Sequence, residues 1–502
     1  MALSLNSKTL LPAKLKITKS SKPKFLSGET TVIVYPKGQF KKLKSVLKEQ
    51  LAPYQIKKIE SAEQPSYFMH GSKGYVALVH VPDQLSETLD HEGMLEESNY
   101  ALTRDQVGSL YLQAEEAGCT KLHLHTFNCD YDEILGSFLG LEMAAYDFKK
   151  IAKPLSISAS YQGELPTKAV EEAYKNAIAV GRATNMSRLL VDTPPSDKRP
   201  VDYAEAVNGY FKNKAGMKVT IWDDKKMAKE KMGCILGVGQ GSVQKPRLVH
   251  LRYRPAKAQD IQPAAFVGKG ITFDTGGLNL KGGANMRLMK KDMGGSAALV
   301  GLASWLVDSK SDVPCDIYLA LAENSVDAES FRPSDVLVAK NGKSVEIDNT
   351  DAEGRLVMAD ALCVAAEAKG KDKPQFLIDV ATLTGAIKVG LGDDIGGLFS
   401  NNDDLAFILQ SCSQISGDPL WRMPIMESQL GKLKSDVADL ANSGSGFGGA
   451  IRAAVFLREF TGDLPWAHLD IYGWNGSRQK AYRSAGGSGQ AVQCLAQFIS
   501  QI

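Results

Sequence analysis

The sequence predicts an α/β fold in which a small N-terminal α/β domain precedes a larger C-terminal α/β domain with a mixed central sheet flanked by helices. The chain has 502 residues, which is more than a single hydrophobic core usually organises. Strand-like and helix-like runs alternate in both parts of the chain, as they do in α/β folds. Glycine-rich loops with acids and lysines lie in the second part and indicate that it holds the functional site.

The order of the elements predicts where the domains meet. Alternating apolar residues predict N-terminal strands over 31–35, 75–81 and 121–125, and helical spacing predicts helices over 42–51 and 132–148. A long helical pattern over 168–191 stops at Asp192-Thr193-Pro194-Pro195, because proline cannot continue a helix. We therefore expect an N-terminal domain over 1–165, a connecting helix over 166–195 and a second domain over 196–502.

Composition excludes several classes of protein. Hydrophobic residues make up 44% of the chain and charged residues 23%, which is typical of a globular protein. A net charge of +2 gives no bulk attraction to nucleic acids or membranes, and no apolar run reaches transmembrane length. The first 25 residues lack the apolar segment of a secretory signal. Seven cysteines without a Cys-x-x-Cys motif suit reduced thiols, so we expect a cytoplasmic location.

The heptapeptide Asn-Thr-Asp-Ala-Glu-Gly-Arg at 349–355 is the most informative segment of the chain. Asp351, Glu353 and Arg355 occupy alternate positions, so their side chains would point to one side of an extended segment. Two carboxylates that face one point repel each other unless a cation or a proton lies between them. The pattern therefore predicts hard or borderline metal ions. The alternative is an exposed acidic turn closed by a salt bridge.

A second cluster of candidate residues lies upstream in glycine-rich loops. Residues 264–267 predict a short buried strand, and we expect Lys269 just past its C-terminal end, where ligands bind in open α/β sheets. Asp274, Lys281 and Asp292 have ordinary alternatives, namely a turn residue, a solvated loop charge and a helix N-cap. Two acids and two lysines in such loops, upstream of the heptapeptide in one α/β unit, favour a shared site.

Histidine ligands are not expected in this site. The chain has seven histidines and no His-Glu-x-x-His motif, so the sequence does not support a histidine zincin. His123 and His125 alternate along a predicted strand, which is compatible with a metal pair. We expect them instead to be two exposed strand histidines.

Several segments closely resemble the leucine aminopeptidases, the two-metal cytosol aminopeptidase family. The heptapeptide is highly specific to that family, and the resemblance extends in the right order over roughly residues 165 to 500. The other matching segments are Gly268 to Gly277, Lys290 to Gly295, Asp379 to Ala386, Trp421 to Pro424 and Trp466 to Ile471. Residues 1 to 160 carry no motif that matches the family. The resemblance implies that 196–502 is a metallopeptidase catalytic domain.

The resemblance implies two divalent metal ions. A tightly bound ion would take Lys269, Asp274, Asp292 and Glu353, and a more exchangeable ion would take Asp274, Asp351 and Glu353. Zinc suits the first site, because a borderline metal accepts a lysine nitrogen beside oxygens, and manganese or magnesium suit the oxygen-only site. Lys269 has to bind in its neutral form, so metal loading should depend on pH.

The resemblance also implies the catalytic and substrate-binding residues. A metal-activated water would attack the first peptide bond of a peptide, and Lys281 would stabilise the oxyanion. Arg355 would hold a bicarbonate ion that acts as general base. The implied substrate-binding residues are Met289, Thr382, Leu383, Gly385 and Tyr472. The protein is thus expected to be a metallo-aminopeptidase that acts on peptides.

Two positions depart from the family pattern. Tyr472 stands where family members usually have a small residue that lines the side-chain pocket, so a preference for leucine does not transfer. Arg452 stands where threonine is common in the family. Neither residue is an implied metal ligand, and the departures therefore concern specificity and not the chemistry.

Two alternative functions remain open from the sequence. One is a narrow, dipeptidase-like specificity, given Tyr472, and the other is a mainly nucleic-acid-binding or regulatory role on the same fold. The near-neutral charge and the complete ligand set argue against the second as the sole role. The resemblance also implies a homohexamer. We expect no membrane partner and no nucleic-acid partner.

Overall fold

Two large β-sheets, one in each half of the chain, organise the fold. The computed structural model describes residues 3–5, 10–61, 63–82, 97–149, 153–258 and 261–502. A six-stranded sheet lies within residues 17–162, and an eight-stranded sheet lies within residues 217–470. Helices flank both sheets, so the predicted α/β fold class is confirmed.

The N-terminal sheet is built mainly from parallel strands. Its strands are β1 (Ile17–Lys19), β2 (Thr30–Pro36), β3 (Ser66–His70), β4 (Tyr75–Val81), β5 (Lys121–Phe127) and β6 (Ser156–Gln162). Their order is β1-β6-β5-β2-β4-β3; β3 runs antiparallel to β4, and the other neighbours are parallel. The three strands predicted in this region are confirmed as β2, β4 and β5.

Helices cover both faces of this sheet. They are α1 (Phe40–Leu47), α2 (Pro53–Glu60), α3 (Asn99–Glu116) and α4 (Tyr131–Ala144). Helices α1 and α2 pack on the face that carries Ile33, whereas α3 and α4 pack on the face of Val32 and Val34. The two faces differ because successive strand residues point to opposite sides. The two helices predicted here are confirmed as α1 and α4, with shifted ends.

His123 and His125 are buried, so the prediction of two exposed strand histidines is wrong. They lie on β5, which has a parallel neighbour on each side and is covered by helices on both faces. The ring nitrogens of His123 lie 2.9 Å from Ser158 Oγ and 2.8 Å from Ser160 Oγ, and His125 Nδ1 lies 2.8 Å from Ser160 Oγ. Burial lowers the pKa of both histidines to about 4.

One long helix, α5 (Thr167–Asp192), contributes to two hydrophobic cores. Val170 and Ala177 belong to the core of the N-terminal sheet. Met186 and Leu190, two to three turns further along the helix, belong to the core of the C-terminal sheet. The connection between the two sheets is therefore a packed helix that both cores share.

The C-terminal sheet is mixed. Its strands are β7 (Met217–Trp222), β8 (Arg247–Tyr253), β9 (Ala264–Asp274), β10 (Cys315–Asn324), β11 (Leu377–Ala381), β12 (Gly396–Ser400), β13 (Leu420–Arg422) and β14 (Trp466–Asp470). Their order is β13-β12-β14-β11-β9-β10-β8-β7. Short strands at Val336–Val338, Ser344–Glu346 and Leu440–Ala441 form a three-stranded sheet, and Trp474–Asn475 pairs with Gly486–Gly487.

Helices lie on both faces of the C-terminal sheet. They are α6 (Pro200–Phe211), α7 (Asp224–Lys229), α8 (Gly233–Gly239), α9 (Gly283–Met286), α10 (Gly294–Ser309), α11 (Gly354–Ala366), α12 (Gly385–Leu391), α13 (Asp403–Ser416), α14 (Gly449–Arg458) and α15 (Val492–Gln501). Helices α5, α6, α10, α13 and α15 share one core. Helices α8, α11 and α14 share the core of the opposite face.

The four central strands β10, β9, β11 and β14 are parallel, so their carboxyl ends meet at one edge of the sheet. Asp274 ends β9, Asn324 ends β10 and Asp470 ends β14. Thr382 follows directly after β11. This edge therefore gathers polar side chains from strands that are distant in sequence.

Lys269 lies in the middle of β9, and not past the end of a strand as predicted. The strand continues to Asp274 because its glycines can adopt an extended conformation and leave space for neighbouring segments to pack closely against it. A Cβ on Gly268 would lie 2.7 Å from Ser296 Cα of α10, so only glycine lets this helix approach the strand. Lys269 is consequently buried between the sheet and the helices instead of standing at a solvent-facing loop.

We predict that His125→Asn makes folding less sensitive to acid. Between about pH 4 and pH 6.5 the unfolded chain binds more protons at this position than the folded chain. Stability therefore falls as the pH drops, by at most about 1.4 kcal/mol per pH unit for each histidine. Asparagine keeps a polar group near Ser160 but does not titrate. Urea unfolding between about pH 4.5 and pH 7 should show a shallower slope for the variant.

The matched control is His70→Asn, because His70 is exposed at the end of β3. When the free energy of unfolding of each variant is compared with that of the parent at each pH, the contributions of all other titrating groups cancel. Equal slopes for His125→Asn and the parent would show that burial of His125 does not set the acid sensitivity.

Candidate metal and catalytic site

Three carboxylates converge at the carboxyl edge of the central sheet. Oxygen atoms of Asp274, Asp351 and Glu353 all lie within 4.8 Å of one another. Asp274 and Glu353 are buried, whereas Asp351 is partly exposed. Carboxylates this close repel one another unless a cation or a proton lies between them. The two sequence motifs are thus brought together in one site.

Lys269 links this group to a fourth carboxylate. Its Nζ lies 2.7 Å from Asp292 Oδ2 and 3.2 Å from Glu353 Oε1, and it donates a hydrogen bond of 3.0 Å to the Thr382 backbone oxygen. A Cβ on Gly354 would lie 2.5 Å from Lys269 Cε. Glycine at 354 therefore makes room for the Lys269 side chain.

The heptapeptide enters a helix at the site, so the extended conformation predicted for it is wrong. Helix α11 begins at Gly354, and Glu353 already has helical angles, with φ −74° and ψ −33°. Asp351 and Glu353 converge because they lie in the turn that leads into the helix. Arg355 lies in the first helical turn, where its Nη1 donates to the Asn442 backbone oxygen at 2.8 Å.

Asp292 does not act as the N-cap of α10, which was its ordinary alternative. The N-cap position belongs to Met293, and its side chain makes no capping bond. Asp292 Oδ1 instead accepts a 2.9 Å hydrogen bond from Thr382 Oγ1, and Oδ2 lies against Lys269. Asp292 is therefore held as a member of the carboxylate cluster.

Asp274 is oriented by residues that the sequence did not single out. The amide of Asn324 donates to Asp274 Oδ1 at 2.9 Å, and the Gly276 backbone N–H donates to the same oxygen at 2.8 Å. The other oxygen, Oδ2, lies 2.8 Å from Lys281 Nζ, which also contacts Asp351. Asp274 thus presents a fixed oxygen toward Lys281, and the solvated-loop alternative for Lys281 is wrong.

The electrostatics of the cluster show an excess of buried negative charge. Burial raises the pKa of Glu353 well above its usual range, and the neighbouring Asp274 raises it further. Burial also raises the pKa of Asp292 and of Asp351. Burial opposes the charge of Lys269, but Asp292, Glu353 and Asp274 outweigh it and raise the pKa of this lysine. Two lysines therefore do not fully offset four carboxylates.

The donor set fits divalent cations. Among the described residues, the buried Oε2 of Glu353 has no hydrogen-bond donor, whereas Asp292 Oδ2 and Asp351 Oδ1 face the ammonium groups of Lys269 and Lys281. A buried carboxylate oxygen without a donor is costly unless a cation binds it. Four carboxylates and one lysine nitrogen supply the oxygen and nitrogen ligands that zinc, manganese and magnesium accept.

Arg355 offers an anion-binding group next to the carboxylates. The side chain is buried, and burial lowers its pKa to about 10. Its Nε has no hydrogen-bond acceptor among the described residues. Asn442 holds this region together, because its side-chain amide donates to the Asn349 oxygen at 2.7 Å and accepts from the Asp348 and Asn349 backbone. A planar anion would satisfy the free N–H of Arg355.

The residues expected to bind substrate surround the same edge. Leu383 and Thr384 donate backbone N–H groups to Asp470 Oδ1 at 2.9 and 3.2 Å, which places the segment that leads to Gly385 beside the site. Met289 and Tyr472 are partly exposed. The ammonium groups of Lys291 and Lys388 each lie 4.2 Å from the centroid of the Tyr472 ring. Tyr472 therefore does not point into the hydrophobic core.

Residues 185–496 match the cytosol aminopeptidase family, catalytic domain. The chain belongs to this family. It is 41% identical over 332 residues to a probable cytosol aminopeptidase of Nostoc punctiforme, and this alignment spans 66% of each chain. The predicted metallo-aminopeptidase is thereby confirmed at the level of the family, whose members use two divalent metal ions. No comparison favours the dipeptidase-like or the nucleic-acid-binding alternative.

Solved structures extend the likeness to nearly the whole chain. The bottromycin maturation enzyme BotP in complex with Mn superposes with a TM-score of 0.80 at 26% identity and covers 95% of this chain and 99% of its own. A variant of tomato leucine aminopeptidase superposes with a TM-score of 0.79 at 27% identity and covers 97% of each chain.

Within the described residues, no helix has the length and apolar character to cross a membrane.

Lys198 is a buried contributor to the site that the sequence did not reveal. It is fully buried, and backbone oxygens accept its hydrogen bonds. Its Nζ donates to the backbone oxygens of Leu190 at 2.7 Å, Val191 at 3.2 Å and Lys290 at 2.6 Å. Lys198 thus ties the end of α5 to the loop that carries Asp292. An isolated lysine in a charged segment has no pattern that distinguishes it from a surface lysine.

We predict that Lys198→Met weakens metal binding by about 10- to 100-fold, the usual effect of removing a group that orients a metal ligand. Methionine matches the length of lysine but cannot donate to the Lys290 oxygen. Isothermal titration calorimetry with Mn²⁺ measures the affinity. Tyr210→Phe is the control, since it removes a hydroxyl that lies 3.2 Å from Ser304 Oγ without touching this loop. Unchanged affinity in Lys198→Met would rule out the positioning role.

Proposed function

We propose that this protein removes the N-terminal residue of peptides with two divalent metal ions held by Lys269, Asp274, Asp292, Asp351 and Glu353. The observation that supports this most directly is the convergence of three carboxylates within 4.8 Å, next to a buried Glu353 oxygen without a donor. Several oxygens of such a group can bind the same cation. Lys269, Asp292 and Thr382 hold the remaining side of the cluster.

When bound, the two ions would polarise the scissile carbonyl and lower the pKa of the attacking water. The side chains contribute separate parts of the reaction. Lys281 is partly exposed beside Asp274 and Asp351, and its ammonium would donate to the carbonyl oxygen as negative charge develops there. The carboxylates beside it raise its pKa, which keeps Lys281 protonated for this role.

Arg355 would hold an anion that accepts a proton from the water. The Nε of Arg355 is buried without an acceptor, and a bicarbonate ion would supply one. The acids of the cluster would be occupied as metal ligands, which would leave them unsuited to act as the general base. We therefore retain the bicarbonate implied by the family resemblance as part of the proposal.

The restriction to chain ends follows from the Asp292 side of the cluster. Asp292 is buried and contacts Lys269 and Thr382, and we propose that this end of the cleft is closed to a further peptide residue. A free α-amino group, by contrast, is small and would bind beside the carboxylate. Leu383 and Gly385 follow Thr382 along the cleft and are proposed to contact the substrate backbone, with Met289 near the first side chain.

The identity of the metals follows from ligand chemistry. We propose zinc in the site that includes the Lys269 nitrogen, and manganese or magnesium in the oxygen-only site. Manganese is bound in the similar structure of BotP. The Lys269 nitrogen has to lose its proton before it binds a metal, so loading should improve as the pH rises. We also propose a homohexamer, as the family resemblance implies, and a cytoplasmic location, in line with the cytosol aminopeptidase relatives and the seven free cysteines.

A panel of aminoacyl amides tests the proposed function. The purified protein should hydrolyse at least one unblocked aminoacyl amide in the presence of Zn²⁺ or Mn²⁺, and a chelator should abolish the activity. N-acetylated versions of the same substrates should not be hydrolysed, because they lack the free amino group. Hydrolysis of blocked and unblocked substrates at equal rates would contradict an aminopeptidase.

We predict that Asp351→Ala and Glu353→Ala both abolish turnover, and that Glu353→Ala loses more metal. Glu353 would contact both ions, whereas Asp351 would contact only the exchangeable one. Metal content after gel filtration measures the loss. Asp348→Ala is the control, because Asp348 is an exposed acid near the same turn. Two full equivalents of metal in Glu353→Ala would remove the two-metal assignment.

We predict that Lys281→Ala lowers kcat by roughly 10²- to 10³-fold while both metals stay bound, as expected for the loss of one oxyanion donor. The five proposed metal ligands are unchanged in this variant. Steady-state kinetics and metal analysis on the same preparation give the answer. A raised KM with normal kcat would instead assign Lys281 to substrate binding.

A further inference from the structure

Three side chains form a positively charged group beside the metal cluster, which we call the Lys-Tyr-Lys group: Lys291, Tyr472 and Lys388. The Tyr472 ring lies 4.2 Å from each ammonium, and Lys388 Nζ donates to the Tyr472 hydroxyl at 2.9 Å. Lys291 directly precedes Asp292, Tyr472 follows β14, and Lys388 lies one turn into α12. The three residues come from separate segments and meet at the carboxyl edge of the sheet.

The charge of this group is not neutralised within the described part of the chain. Among the described residues, neither ammonium has a carboxylate within ion-pair distance; the Lys291 ammonium contacts the Tyr472 ring, in a residue that is 6% exposed. An ammonium on a largely buried side chain is stabilised by a nearby negative charge. The contact with the face of a tyrosine offsets only part of the cost of burial. The group is therefore suited to a bound anion.

The position of the Lys-Tyr-Lys group relates it to the first residue of the substrate. A Cβ on Gly473 would lie 3.2 Å from Thr382 Cγ2, so the segment that carries Tyr472 touches Thr382. Thr382 in turn donates to Asp292. The proposed function places the substrate α-amino group at Asp292. The side chain of the same residue then extends toward Tyr472 and the two lysines.

We propose that this protein prefers peptides whose N-terminal residue is aspartate or glutamate, with the carboxylate of that side chain bound by Lys388 and Lys291 and packed against Tyr472. This inference rests on the proposed aminopeptidase function and adds the substrate class to it. An acidic side chain supplies the missing partner of both ammonium groups. A leucine side chain would leave them without one and would strip water from them.

Pairs of substrates that differ only in charge test the preference. We expect kcat/KM with Mn²⁺ to be at least about tenfold higher for glutamyl than for glutaminyl amides, and for aspartyl than for asparaginyl amides. Each pair has nearly the same size, so shape is held constant. A ratio of one or below in both pairs would overturn the inference. Failure to hydrolyse any aminoacyl amide would instead count against the proposed function.

Variants of Lys388 locate the preference in the Lys-Tyr-Lys group. Lys388 is exposed, so Lys388→Met should keep the melting temperature and lower the glutamyl-to-glutaminyl ratio about tenfold. Lys388→Arg keeps the charge and should retain most of the ratio. Lys212→Met, at an exposed lysine after α6, is the control. A ratio unchanged in Lys388→Met would overturn the assignment, as would an equal loss for all substrates.

Tyr472→Phe separates anion binding from simple packing. Phenylalanine keeps the ring between the lysines but removes the hydroxyl that accepts from Lys388. We expect the glutamyl-to-glutaminyl ratio to fall by a smaller factor than in Lys388→Met, because the ammonium stays nearby but is less well placed. A ratio that rises in Tyr472→Phe would contradict the proposal that the hydroxyl positions Lys388 for the carboxylate.

Discussion

The structure depends on holding four carboxylates close together, three of them away from water. Asp274, Asp292 and Glu353 are buried, and their mutual repulsion opposes folding unless positive charge offsets it. Lys269 supplies part of that charge from within the sheet, and Lys281 supplies part from the solvent side. The Glu353 oxygen that remains without a donor marks where divalent ions would bind. Stability of this region and metal binding are therefore consequences of the same arrangement.

The scaffold keeps the cluster in place from several directions. Asn324 and Gly276 fix one oxygen of Asp274, Thr382 fixes one oxygen of Asp292, and Asn442 holds the turn before α11. Lys198 ties the loop of Asp292 to the end of α5, a helix that also belongs to the core of the N-terminal sheet. The N-terminal sheet is thus linked to the metal cluster through the contacts of α5 and Lys198, although it contributes none of the proposed ligands.

The residues proposed for the chemistry and those proposed for specificity occupy adjacent but separate segments of the chain. The carboxylates, Lys269 and Lys281 lie on β9 and its loops and at the start of α11, whereas Tyr472 and Lys388 lie after β14 and in α12. Lys291 is the point of contact between them, because it precedes Asp292 and touches the Tyr472 ring. Changes at Tyr472 or Lys388 can therefore alter which first residue is accepted without moving a proposed metal ligand.

The sequence by itself determined the α/β class, the major N-terminal strands and the set of acids and lysines that form the site. These features depend on local periodicity and on short motifs, which a single chain displays directly. Tertiary structure decided the rest. The burial of His123 and His125, the position of Lys269 within β9 and the helical start at Glu353 all depend on what packs against each segment. Lys198, Asn324 and Asn442 join the site through contacts between residues distant in sequence, and no local pattern encodes such contacts.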